Sequence, residues 1–200
     1  MATLDDYGED SSTTVFRDVI FLALAGFIAV VMMLLPHLNP PTKAEQDIAS
    51  PGNVVVEIVW PAEINADVDL WVEAPGDMPV GYSNKGGRIF NLLRDDLGFF
   101  QDVSNINYEV SYSRGRPAGE YTVNLHLYKA PPGTLPLEVT VMVSLKTDPQ
   151  AQALRVLGKT FEIGHVGDEI TCFRFQLDDD GQFLSASVHD LPRSLRSARK

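Results

Sequence analysis

The chain has 200 residues, a formal net charge of −11 and a mean hydropathy near zero. That length allows one ordinary domain plus an anchor. The acidity excludes a nucleic-acid partner, which needs a basic face. The single cysteine, Cys172, excludes an intramolecular disulfide, so the fold must rest on its core.

Residues 1–14 carry Asp5, Asp6, Glu9 and Asp10 and read as a short cytoplasmic segment. Residues 15–35, VFRDVIFLALAGFIAVVMMLL, form a long apolar run. At 1.5 Å per residue such a run spans about 31 Å, the thickness of the hydrocarbon core, so a single transmembrane helix is expected. Ser11, Ser12, Thr13 and Thr14 are candidate N-caps, and Pro36 with the Pro40-Pro41 pair is expected to end the helix. A cleaved leader would need a basic start, a shorter apolar core and a small-residue cleavage site. The acidic start and the His37-Leu-Asn-Pro-Pro stretch lack these, so an anchor is the better reading.

Asp18 lies inside this run, about one turn from its start. An intramembrane carboxylate costs about 2.5–3.5 kcal/mol at the bilayer centre and less near an end. Two readings stay open on physics alone: Asp18 reaches the interface beside Arg17, or it carries an ion and faces a partner helix. Gly26 and the small residues Ala23, Ala25 and Ala29 suit close helix packing or are ordinary membrane filler. Residues 36–52, PHLNPPTKAEQDIASPG, read as an extended proline-rich linker.

From Asn53 the period becomes two. Strands are expected at 54–60, 67–73, 106–113, 121–128, 137–145, 160–163, 169–177 and 183–188, with Gly and Pro turns between them. Residues 91–97 are expected as a turn of helix or a loop. The pattern over 53–190 predicts an all-β antiparallel sandwich, jelly-roll-like, outside the cytoplasm. Residues 191–200, with Arg193, Arg196, Arg199 and Lys200, read as a solvated basic tail.

The chain has no glycine-rich phosphate loop, no Cys/His metal spacing, no G-x-S-x-G elbow and no H-E-x-x-H, so no enzyme activity is expected. Asp67, Asp69, Asp95 and Asp96 are candidate calcium ligands, because clustered hard oxygens are what that ion takes. The plainer alternative has Asp67 and Asp69 facing water and Asp95 with Asp96 starting a turn. Asp178-Asp-Asp-Gly reads as a β-turn. His126 is expected at the surface or half-buried, Trp60 and Trp71 as core or rim aromatics, and Cys172 as a buried thiol.

The run Phe16-Arg-Asp-Val-Ile-Phe-Leu-Ala-Leu-Ala-Gly-Phe-Ile-Ala-Val resembles the membrane helix of the ExbD/TolR family, with MotB more distant. The resemblance rests on Phe16, Asp18, Val19 and Phe27. It implies a homodimer held by a multi-helix ExbB/TolQ/MotA-like subunit in a bacterial inner membrane, with the N-terminus cytoplasmic and the C-terminal domain periplasmic. Asp18 would be the ion-binding carboxylate of the proton relay. Arg17 departs from the apolar or polar residue usual before that aspartate. The series Asp67-Val-Asp-Leu-Trp-Val-x-x-Pro-Gly, Val80-Gly-Tyr-Ser-Asn, Asp95-Asp-x-Gly and Gly119-Glu-Tyr-Thr-Val-Asn-Leu-His-Leu-Tyr is similar to pre-peptidase C-terminal and YfaP-type β-sandwiches. That resemblance implies binding, not catalysis, with a cell-wall or outer-membrane partner. Two functions are therefore expected: a B-type subunit of an ion-driven motor or energiser, or a membrane-anchored binding or scaffold module in which Asp18 conducts nothing.

Overall fold

In the computed structural model the described residues are 6–38, 52–96, 106–148 and 151–196. The chain divides into two compact units, residues 1–46 and 47–200. Most of the expected linker, Gly98, Arg199 and Lys200 lie outside the described residues.

The described residues of the first unit form one helix, α1 (Asp6–Leu38). Its stretch Thr14–Leu34 is long and apolar enough to cross a membrane, and none of it is buried. A helix that is apolar on all sides suits lipid, since it has no polar face to offer water. The helix outruns expectation at both ends. Residues 11–14 lie within it and do not cap it, and Pro36 is inside its last turn. Pro36 is followed by only two helical residues, so the N–H it lacks costs little continuity.

The second unit is an antiparallel β-sandwich. Its strands are β1 (Val54–Val59), β2 (Asp67–Glu73), β3 (Phe90–Arg94), β4 (Tyr108–Ser113), β5 (Gly119–Lys129), β6 (Leu137–Leu145), β7 (Leu154–Ile163), β8 (Glu169–Leu177) and β9 (Phe183–His189). One sheet has the order β3-β4-β1-β6-β7 and the other β2-β5-β8-β9. The core is shared between them. Val54, Val56 and Ile58 of β1 and Val139, Val141 and Val143 of β6 meet Val68, Leu70 and Val72 of β2 and Val123, Leu125 and Leu127 of β5. Alternate residues on each strand supply this face, as the pleat requires. Tyr121 stacks on Phe175 with ring centroids 5.2 Å apart and sits in the same layer.

Residues 90–94 form a strand, where the sequence suggested a helical turn or loop. Phe90 and Leu92 are buried and Asn91 between them is less so. Two inward positions are too short a period-two signal to stand out beside NLLRDDL. Asp178 closes a tight turn between β8 and β9, accepting the Asp180 and Gln182 N–H groups through Oδ1 at 3.0 and 2.7 Å. Both tryptophans are buried, and Trp60 donates its Nε1–H to the Ala66 carbonyl at 3.2 Å. Trp71 leaves no room beside Gly81, where a Cβ would stand 2.4 Å from the indole ring.

The start of the expected basic tail is folded down. Leu195 is fully buried. The Glu169 carboxylate accepts the Ser194 hydroxyl at 2.6 Å and the Leu195 N–H at 2.7 Å. The Arg193 carbonyl accepts the Asn124 amide at 2.7 Å, and its guanidinium lies 2.8 Å from Glu73. The charge pattern hid this because one leucine among arginines does not read as a core residue.

Candidate functional site

Strand β2 has an apolar inner face, Val68-Leu70-Val72, and an outer face carrying Asp67, Asp69, Trp71 and Glu73. The outer face is not solvated here: Asp67 is 7% exposed, Asp69 4% and Trp71 3%. The plain reading, in which the two aspartates project into water, is therefore excluded. Strand β2 is also the edge of its sheet, so some of its backbone donors need partners from elsewhere.

Strand β4 supplies one. Ile58 stands opposite Glu109 and Val56 opposite Ser111, so Glu109 and Ser111 share the inner face of their sheet. Glu109 is fully buried. Its Oε2 accepts the Leu70 N–H of β2 at 2.8 Å, and its Oε1 accepts the Asp96 N–H at 3.0 Å. One carboxylate thus ties the edge of one sheet to the far end of β3 in the other.

Three oxygens converge here, one each from Asp69, Asp95 and Glu109, all within 4.8 Å of one another. Asp69 is braced from behind by His126, whose Nδ1 lies 2.6 Å from Asp69 Oδ2. His126 is itself buried, and not at the surface or half-buried as its strand position suggested. Asp95 Oδ2 pairs with Lys85 Nζ at 2.7 Å. Asp67, two residues before Asp69 on the same strand face, adds a fourth carboxylate. Asp67 Oδ1 and Asp95 Oδ1 are both buried without a hydrogen-bond partner.

The electrostatics follow from burial and from the crowding of like charges. Burial, reinforced by Asp69, Asp95 and Asp96 and opposed by Lys129, pushes the Asp67 carboxyl up to about 7. Burial raises Asp69 as well, against the His126 hydrogen bond, which favours its charged form. Burial holds Glu109 well above the ordinary carboxylate range, although the Leu70 and Asp96 N–H groups favour its charge. Buried carboxyls resist ionisation unless a positive charge or donors compensate.

Of the four aspartates read as calcium ligands, the fold thus brings Asp69 and Asp95 together and sets Asp67 beside them. Asp96 is engaged elsewhere. Its Oδ2 accepts the Tyr108 N–H at 3.1 Å and the Arg94 guanidinium at 3.3 Å. Glu109 takes the remaining place, and sequence reasoning missed it. The available signal was a glutamate alternating with Ser111 and Ser113 on one face of the strand. Asp18 is in the other unit, exposed within the apolar stretch of α1.

Among the described residues of the corner, no nucleophile is held by a base. Cys172 is buried, and burial pushes its thiol far above the range in which thiolates form. What the corner can do is present oxygens to a hard cation or retain protons. Comparison of the chain with models of protein families, with curated proteins and with solved structures finds no match.

Proposed function

We propose that this protein is a membrane-tethered binding module: α1 anchors the chain in a bacterial inner membrane, and the β-sandwich works on the periplasmic side as a docking or scaffold domain without catalytic chemistry. The observation that carries this reading is the exposed apolar stretch Thr14–Leu34, on a chain whose sandwich builds its hydrophobic core from its own strands and loops. A stretch of this length and composition needs lipid or a partner to cover it. Arg17 at the N-terminal end of the stretch supports a cytoplasmic N-terminus, since cations stay on that side.

The test is topological. Ser83 is exposed in a turn of the sandwich, and Ser83→Cys gives a thiol for a membrane-impermeant maleimide. Labelling of intact spheroplasts, with the chain resisting carbonate extraction from membranes, is the expected result. Labelling only after lysis overturns the orientation, and release by carbonate overturns the anchor.

A second reading rests on Asp18. A carboxylate on an exposed apolar helix is stabilised by a partner that receives it, and in an ion-driven motor that partner is a multi-helix subunit of the ExbB/TolQ/MotA kind surrounding a dimer of this helix. Under that reading Asp18→Asn, at normal membrane level and with its partner still co-purifying, abolishes proton-driven activity. Full activity in that variant sinks the motor and leaves the tether.

A further inference from the structure

We infer that Asp69, Asp95 and Glu109, with Asp67 beside them, form a calcium site at the corner where the edge of the four-stranded sheet meets the end of β3. Three observations carry this.

The first is geometric. Calcium holds oxygens at about 2.3–2.6 Å, so two of its ligands are at most about 5 Å apart. The three oxygens of Asp69, Asp95 and Glu109 fall within 4.8 Å of one another, which brings them within a few tenths of an ångström of the span one such ion bridges.

The second is an unmet demand beside that cluster. Asp67 is 93% buried, since it is 7% exposed, and its Oδ1 has no donor. It stands two residues before Asp69 on β2, and the charges of Asp69, Asp95 and Asp96 act on it against that of Lys129. Among the described residues Asp95 Oδ1 is a second buried acceptor without a donor. Leaving such an oxygen unsatisfied costs about 1–3 kcal/mol or more, because it has given up water and gained nothing. A divalent ion held by the cluster meets the demand of Asp95 and offsets the repulsion that Asp67 experiences.

The third is rigidity behind the ligands. His126 fixes Asp69, and two backbone N–H groups fix Glu109. Outer partners of this kind orient metal ligands. The donor set is all oxygen, which suits calcium and not zinc or copper. Ligands fixed on separate strands cannot contract to the near-ideal octahedron at about 2.0–2.1 Å that magnesium demands, whereas calcium accepts irregular geometry and fills its remaining positions with water. Bound there, the ion would link β2, β3 and β4 and so join the two sheets at one corner.

The experiment uses the full chain in detergent micelles, stripped with EDTA and dialysed. CaCl2 is titrated by calorimetry while thermal unfolding of the sandwich is followed by tryptophan fluorescence. The expected result is one saturable site per chain, with a Kd of about 10⁻⁴–10⁻³ M as in extracellular calcium modules, and a melting temperature that rises over the same concentrations. Asp67→Asn and Asp95→Asn each weaken binding at least about tenfold, on the scale of losing one charged ligand. In EDTA, Asp67→Asn melts no lower than the parent, because the amide keeps the shape and removes repulsion. A purely structural Asp67 would instead lower it and overturn the assignment. The absence of a saturable calcium response up to about 10 mM, above that range, overturns it too, and means that water or protons meet the orphan oxygens. An equal response in the two variants locates the binding elsewhere, and an equal response to MgCl2 overturns the choice of calcium.

Discussion

Helix α1 and the acidic corner of the sandwich both place carboxylates in apolar surroundings, and they handle them in opposite ways. Asp18 is the single acid of the exposed apolar stretch Thr14–Leu34. Asp69, Asp95 and Glu109 are drawn together inside the fold, with His126, Lys85 and backbone N–H groups arranged around them. An acid whose environment must come from lipid or another chain points to assembly. Acids whose environment is built by their own chain point to a local role, which is to join sheets, to hold protons or to hold a cation. The two regions can therefore be broken independently.

The largest effect is expected at the corner. Glu109→Ala strands two buried donors, Leu70 N–H and Asp96 N–H, at about 1–3 kcal/mol each. The predicted loss is about 3 kcal/mol or more in the unfolding free energy of the sandwich, read by urea denaturation in micelles. Glu109→Gln keeps a carbonyl oxygen for one of the two donors, so its loss is smaller. Membrane insertion of α1 is unaffected by either. If Glu109→Ala unfolds no more easily than the parent, Glu109 does not clamp the sheets, and the corner is no better built than the environment of Asp18.

The contrast also governs what the sequence made readable. The helix needs only a long apolar run, which the sequence displays directly. Strand β2 was equally plain, because Asp67-Val-Asp-Leu-Trp-Val-Glu alternates strictly and was found with the expected bounds. Alternation tells which residues share a face but not what the face meets. On β4 the more apolar set is Tyr108-Val110-Tyr112, yet Glu109 and Ser111 stand opposite core residues Ile58 and Val56. The polar set faces inward because that strand abuts the open edge of β2 and backbone groups that need partners. Leu70 N–H finds Glu109, the Asn91 carbonyl finds the Ser111 hydroxyl, and Val54 N–H finds the Ser113 hydroxyl. Hydrogen-bond demand overrode hydrophobic pattern, and only the strand order of both sheets reveals it. Asp69 and Asp95 were picked out for their chemistry, while Glu109, the residue that brings them together, depended on that order.

The next effect concerns the strap formed by the last described residues. Leu195→Ala removes a fully buried side chain, and a buried leucine cut to alanine costs about 2–5 kcal/mol. The lower end applies here, because a surface strap relaxes more easily than a core. Limited proteolysis should then release the C-terminal segment while β1 to β9 stay protected. Protection of that segment equal to the parent would return it to the role of a solvated tail held by charge alone.

The smallest effect separates two buried carboxylates by the sign of their pH dependence. In calcium-free buffer, Asp67 is raised in the folded state to about 7 by burial and by Asp69, Asp95 and Asp96, against about 3.9 in an unfolded chain. Its folded form prefers the proton, so its contribution to stability is present below about pH 4 and is lost as pH rises through about 7. Glu169 runs the other way. Burial works against its charge, but the Ser194 hydroxyl, the Leu195 N–H, the Asn124 amide and the Arg196 N–H outweigh it and hold its carboxyl below the ordinary range. Its contribution is present above about pH 4.3, the unfolded value for glutamate, and is lost as pH falls toward the folded one. Melting curves from pH 3 to pH 8 in EDTA should show Asp67→Asn flattening the neutral limb alone and Glu169→Gln flattening the acid limb alone. If Asp67→Asn leaves the slope between pH 4 and pH 7 as steep as in the parent, the corner does not crowd its charges, and the physical reason for it to take up a cation or a proton disappears with that slope.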